Sequence, residues 1–255
     1  MRYDKRRLFM DGVRINKYIS QCGYCSRREA DRLLEQGEVL LNGIPAVIGA
    51  KVFPSDKVSI HGTLLTSDEK EIIIAFHKPK GVVCTTSKKE KHNIIDYIQF
   101  PQRIYPIGRL DKDSTGLILL TNNGQLMDDI LRGSNFHEKE YVVTVDKPLT
   151  TSICHAMEQG VPILDTMTRP CKITDNHQCS FHMILTQGLN RQIRRMCEYF
   201  GYRVRKLHRI RIMNIRLDDL PEGKWRYLSD KEIMILKKQA GQKGKDKCKK
   251  INYNA

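Results

Sequence analysis

The stretch RIYPIGRLDKDSTGLILLTNNG, residues 103–124, decides how this chain is read. It places a polar loop carrying Arg109, Asp111, Lys112 and Asp113 between two apolar segments, and a loop on a rigid scaffold is where function concentrates. From composition alone, the same loop is equally a turn made of ordinary turn residues. Upstream, EIIIAFHKP begins an apolar strand that Pro79 stops, followed by VVCTT as a strand and NIIDYIQ as a short helix. Downstream come LILLT, QLMDDILR, EYVVTVD, a helix near 150–159, SFHMILT and NRQIRRMCEYFG. Their order is not a regular βαβ repeat. Tyr141, Val143 and Val145 share one face by strand alternation, as do Phe181, Met183 and Leu185, which predicts half-buried antiparallel strands. The expected class is α+β, with a mixed, mainly antiparallel sheet flanked by helices over residues 71–238.

A smaller unit is expected ahead of it, over residues 13–62. INKYISQC reads as a short helix, and SRREADRLLEQG as a second one, with a capping box at Ser26 and Glu29 and Gly37 at the left-handed C-terminal position. Val39–Leu41, Asn42-Gly43 and Ile44–Ile48 form a hairpin signal, because a type I′ turn needs positive φ at both central residues. Arg14, Lys17, Arg27, Arg28 and Arg32 fall on the two helices, where they form either a phosphate-binding face or a merely solvated one. Residues 1–12 are left as a leader and 63–70, TLLTSDEK, as a polar linker. SDKEIMILKK carries a second capping-box spacing at Ser229 and Glu232 and is the expected last helix. The lysine-rich tail from Gln239 to 255 holds too little apolar surface to offset its ordering entropy.

Composition narrows the function. Lysine plus arginine is 44 against 29 aspartate plus glutamate in 255 residues, a formal charge of +15 that favours a polyanionic partner. No run approaches the ~18 apolar residues of a membrane span, and Asp4 and Asp11 interrupt a leader that lacks a signal-peptide core. Eight scattered cysteines form no disulfide framework, so a reducing cytoplasm is the expected compartment. Cys22 and Cys25 form a lone CxxC without the other two ligands of a structural zinc site. No GxGxxG, GxxxxGK[ST] or HExxH appears, and no cofactor and no metal are expected.

Four ordered blocks carry a family resemblance: HKPKG at 77–81, GRLDKDSTGLILLTN at 108–122, HEKEYVVTVDKP at 137–148, and GLNRQIRRMCEYFGYRVRKLHRIRIMN at 188–214. Together they resemble the RNA pseudouridine synthases of the RsuA branch. HEKEYVVTVDKP and the RIMN ending at Asn214 are most similar to a subgroup acting on large-subunit ribosomal RNA. The N-terminal unit resembles the RNA-binding domain first described in ribosomal protein S-four.

The resemblance implies isomerisation of uridine within RNA: the glycosidic bond breaks, the base turns, and a carbon–carbon bond to ribose forms. The nucleotide must leave its stack to reach a carboxylate. By motif match that carboxylate is Asp111, as nucleophile or as base towards the ribose, paired with Arg194. Tyr141 matches the tyrosine that stacks on uracil and moves a proton. Lys78 and Pro79 match the block that supports the catalytic loop. Arg109 is expected at the flipped backbone, and Leu185 and Ile193 on the apolar wall. The expected partner is ribosomal RNA, with transfer RNA as a further substrate, and a monomer with no obligate protein partner is expected.

Each residue also has a plainer reading. Arg194 sits between Arg191 and Arg195 on a helix whose apolar stripe is Ile193, Met196, Cys197 and Phe200, and there serves as a solvated charge or phosphate contact. Tyr141 is equally a strand-core aromatic. Two other functions stay open: a noncatalytic RNA-binding protein, and a nuclease holding Mg²⁺ on Asp111 and Asp113.

Overall fold

The computed structural model describes residues 12–66 and 70–241, and the leader, most of the basic tail and 67–69 lie outside the described residues. The chain divides between Glu71 and Ile72 into two compact units.

In the first unit, helices Ile15–Gln21 and Arg27–Glu35 pack on a four-stranded antiparallel sheet, ordered Ile44–Pro45, Val39–Leu41, Val58–Ile60, Thr63–Leu65. Ser26 Oγ accepts from the Glu29 N–H at 3.1 Å, capping the second helix. The hairpin turns at Asn42 and Gly43, with φ of +54° and +81°. The sheet is larger than the predicted hairpin. Thr63–Leu65, read from sequence as the start of a linker, pairs instead with Val58–Ile60, because Leu65 closes over a core of Ile15, Ile19, Leu34, Val39 and Val58.

The second unit is built on a nine-stranded sheet. Its main path runs Lys172–His177, Ser180–Leu185, Lys139–Val145, Val204–Ile212, Thr115–Thr121, Ile73–Lys78, Trp225–Tyr227. Neighbours are antiparallel, except that Val204–Ile212 runs parallel to Thr115–Thr121. This is the expected α+β arrangement.

Both faces of the sheet are covered, which explains why its central strands read as continuous apolar runs rather than alternations. Ile74, Phe76, Ile118, Leu120, Tyr141 and Val143 face one core, closed by helices Ile94–Ile98, Thr151–Gln159 and Gln192–Tyr199. Ile73, Ala75, Leu117 and Leu119 face the other, closed by helices Gly124–Leu131 and Asp230–Gly241.

Two sequence expectations change here. VVCTT is not a strand: Val83 makes only an isolated bridge to Asn93, since the segment bends around the loop after Pro79. The last helix runs to Gly241, three residues past the expected boundary, because Ala240 is buried beside Leu236 in the second core.

Candidate active site

The site is assembled on one row across the sheet. Met183 pairs with Tyr141, Tyr141 with Arg209, Arg209 with Gly116, and Gly116 with Lys78, so five strands each deliver a residue to the same face. Gly116 has φ of +105°, and a Cβ there would collide with the Arg209 backbone carbonyl. Only glycine lets these two parallel strands approach so closely.

Lys78 is fully buried at the end of its strand. Its ammonium donates to the carbonyls of Pro79 at 2.7 Å, Ser114 at 2.8 Å and Lys112 at 3.4 Å. The Gly81 N–H adds a bond to the Lys112 carbonyl at 2.8 Å. Thus Lys78 and Gly81 clamp the backbone on both sides of Asp113 and fix the loop that carries Asp111. Burial pushes the Lys78 ammonium below the usual lysine range, against the pull of nearby Cys84, Asp113 and Asp111.

Asp111 is partly exposed, and two guanidinium groups share its Oδ2: Arg191 Nη1 at 3.6 Å and Arg194 Nε at 3.7 Å. Arg194 is buried, and its other nitrogens are committed, Nη1 to the Val204 carbonyl at 3.2 Å and Nη2 to Ser114 Oγ at 3.4 Å. Its Nε has no hydrogen-bond partner and is left directed at the carboxylate. Arg191 precedes helix Gln192–Tyr199 in the left-handed region, at φ +50°, which turns the chain into the helix beside the loop.

A cleft of about 640 Å³ opens here, lined by Asp111, Tyr141, Arg109, Leu185, Ile193 and Arg191 among others. That volume lies within the ~300–1,000 Å³ of small-molecule pockets. Lys78 and Pro79 lie behind the loop rather than in the lining, and Asp113 is exposed outside it. Among the described residues, no three His, Cys, Asp or Glu side chains gather as metal ligands would. Cys22 and Cys25 are half-buried beside the core of the first unit.

Sequence reasoning missed three further residues of the site. Arg191 joins Arg194 on Asp111. Arg209, 2% exposed, sends Nε to the Leu117 carbonyl at 2.7 Å and Nη1 to the Tyr141 hydroxyl at 3.4 Å. Lys139 lines the cleft, and burial, then the Arg209 charge, lower its pKa to about 8. The available signal was parity. In RVRKLHRIRIMN, Arg209 is two residues from inward-facing Leu207, so it points inward too.

In the first unit Arg14, Arg27, Arg28 and Arg32 are exposed and Lys17 is half-buried, with Arg32 on Glu29 at 3.0 Å. No described helix is long and apolar enough to cross a membrane.

Both parts of the chain match known families. Residues 72–199 match the family model for RNA pseudouridylate synthase, and 13–58 match the S4 domain. The chain belongs to the RNA pseudouridine synthases, in the RsuA branch, and is an enzyme of that class. It is 55% identical over 226 residues to the dual-specificity RNA pseudouridine synthase RluF of Escherichia coli strain K12, covering 88% of this chain and 78% of that one. It is 33% identical to ribosomal large subunit pseudouridine synthase B of Bacillus subtilis, over 88% of this chain and 95% of that one. A pseudouridylate synthase crystal structure superimposes with a TM-score of 0.65 at 29% identity, covering 88% of this chain and 99% of that one.

Proposed function

We propose that the enzyme isomerises a uridine of large-subunit ribosomal RNA, and a uridine of transfer RNA, with Asp111 as the essential carboxylate. The substrate reading is supported by two relatives, one named for dual specificity on RNA and one for the ribosomal large subunit. The observation that carries the catalytic reading is the placement of Asp111 Oδ2 at 3.6 and 3.7 Å from two guanidiniums, in a cleft that Tyr141 also lines.

The chemistry follows from that placement. The reaction gains and loses no atoms: the bond from ribose C1′ to N1 breaks, C1′ bonds to C5, and the C5 proton is replaced by one at N1. Such a step needs a flipped nucleotide and a pocket that retains the detached base. Asp111 acts on the ribose, and Arg191 and Arg194 supply its countercharge and fix its position. Tyr141 stacks on the uracil, with Leu185 and Ile193 completing the apolar wall. Arg109, exposed at the cleft mouth, contacts the displaced backbone. The first unit anchors structured RNA through Arg14, Lys17, Arg27, Arg28 and Arg32, by phosphate and shape rather than base edges.

The test is tritium release from RNA carrying [5-³H]uridine, using ribosomal and transfer RNA from cells that lack the gene. Wild-type protein is expected to release tritium without metal, and Asp111→Asn to bind RNA yet release at least about a hundredfold more slowly. Equal release by both proteins removes Asp111 from the mechanism. Strand cleavage that a chelator stops supports the nuclease reading instead.

A further inference from the structure

Lys112, the residue after Asp111, lines a second cleft of about 540 Å³, together with Lys80, Lys91, His92, Asp96 and Tyr97. Lys80, Lys91 and Lys112 are exposed, and among the described residues none of their ammonium groups makes an ion pair or side-chain hydrogen bond. The one carboxylate in the lining, Asp96, accepts from Asn93 Nδ2 at 2.6 Å. The segment 80–92 that forms this wall carries Lys80, Lys88, Lys89 and Lys91 against the single acid Glu90.

An aromatic surface continues from it. Tyr97 is 49% exposed although its ring is backed by Phe76, with centroids 5.8 Å apart. Phe76 pairs across the strands with Trp225, 36% exposed, whose ring meets Phe100 at 5.1 Å and Tyr227 at 5.4 Å. Tyr227 is 58% exposed. Rings of this size are ordinarily buried, yet Tyr97, braced by the fully buried Phe76, and Trp225 and Tyr227, braced by each other and by Phe100, keep part of their surface in solvent. Free ammonium groups beside braced, exposed rings are the physical signature of single-stranded nucleic-acid binding: lysines follow phosphates and rings stack on bases whatever their sequence.

We propose that this cleft and the aromatic ridge beside it hold the unpaired RNA strand flanking the target uridine, Lys112 marking the end next to Asp111. The proposal rests on the RNA-modifying reading above, and it adds a second contact surface that belongs to the catalytic unit itself. Unpaired RNA is favoured over an acidic protein because the rings accompany the lysines. Its consequence is that the catalytic unit grips the strand beside the reacting nucleotide and so contributes to keeping it unstacked.

The test measures binding of a fluorescein-labelled ten-nucleotide oligouridine to the full chain across salt concentrations, with kinetics on ribosomal RNA in parallel. Lys80→Gln/Lys91→Gln is expected to weaken oligouridine binding about tenfold and lower the slope of log affinity against log salt by about 1.4, two phosphates at about 0.7 each. Tyr97→Leu is expected to weaken binding at least about fivefold with an unchanged slope, since stacking carries no counterion. In both variants KM for ribosomal RNA rises while the single-turnover rate at saturating RNA stays within about twofold of wild type. An Arg27→Gln/Arg28→Gln protein separates any contribution of the first unit. Wild-type affinity and slope in the lysine variant, with pseudouridine formation intact, overturn the proposal and leave the surface to a protein partner. Absence of pseudouridine formation by the wild type defeats the functional reading instead, and the oligouridine data still decide whether the surface binds RNA.

Discussion

Arg209 and Tyr141 face each other on adjacent strands, and the guanidinium, held by the Leu117 carbonyl at 2.7 Å, reaches the phenol oxygen at 3.4 Å. The arginine is buried, and among the described residues no carboxylate pairs with it, so its guanidinium is held by carbonyl and hydroxyl oxygens. Such a group fixes where the tyrosine hydroxyl sits. Arg209→Met is expected to lower kcat about tenfold or more while KM changes little, because it frees the Tyr141 hydroxyl without removing an exposed RNA contact. Steady-state kinetics on ribosomal RNA check this, and a change confined to KM contradicts it.

Lys139 provides a pH test. Its folded pKa of about 8 lies below the ordinary 10.5, so the folded state binds fewer protons than the unfolded state between those values. Stability attributable to this residue therefore rises as pH increases from about 8 to 10.5, and the cost of its half-buried charge is fully present below about 8. Lys139→Met is expected to stabilise the protein at pH 7, with the gain shrinking towards pH 10.5. Denaturant unfolding of both proteins across this range measures the difference, and a constant offset excludes the linkage.

Lys78 joins the stability of the loop to its chemistry. Lys78→Met leaves the Pro79 and Ser114 carbonyls without their shared donor, and is expected to cost about 1–3 kcal/mol. Because that donor fixes the backbone after Asp111, kcat should fall more than KM rises. Unfolding curves and kinetics on the same preparation report both effects; normal turnover in a destabilised protein separates the clamp from the reaction.

The last helix is held by a reciprocal cap. The Ser229 N–H donates to Glu232 Oε2 at 2.8 Å, the Glu232 N–H to Ser229 Oγ at 3.3 Å, and Arg226 adds bonds of 2.8 and 2.9 Å to the carboxylate. Arg226, chiefly, lowers the Glu232 pKa from 4.5 to about 2. The carboxylate's contribution is fully present above about 4.5 and is lost as pH falls towards about 2. Glu232→Gln is expected to cost about 1–2 kcal/mol at neutral pH. Thermal unfolding at several pH values should show the two proteins converging in acid.

Local rules carried much of the fold. Asn42-Gly43 reads as a turn because few pairs tolerate two positive φ values, and Ser26 and Ser229 announce helices because an orphan N–H needs an acceptor. The elements they announce are present. Long-range pairing was not legible: the row from Met183 to Lys78 joins five segments far apart in sequence, and nothing local specifies that Gly116 must meet Arg209. For the same reason VVCTT read as a strand, since its apolar pattern is satisfied by packing Val82 and Cys84 against the core without a ladder partner. The pairing of Asp111 with Arg194, expected from the motif resemblance, is present as geometry at 3.7 Å. Arg191 was hidden because the sequence makes it one of three similar arginines, and only its left-handed backbone turns it to the loop.

The central claim, that Asp111 converts a uridine in cellular RNA, is tested most directly by site-resolved pseudouridine mapping. Ribosomal and transfer RNA would be compared from cells carrying the wild-type gene, the Asp111→Ala gene or no gene. The same positions are expected to lose pseudouridine in both mutant backgrounds, including one in large-subunit ribosomal RNA, while the Asp111→Ala protein still binds RNA. Maps that are identical in all three backgrounds would contradict it.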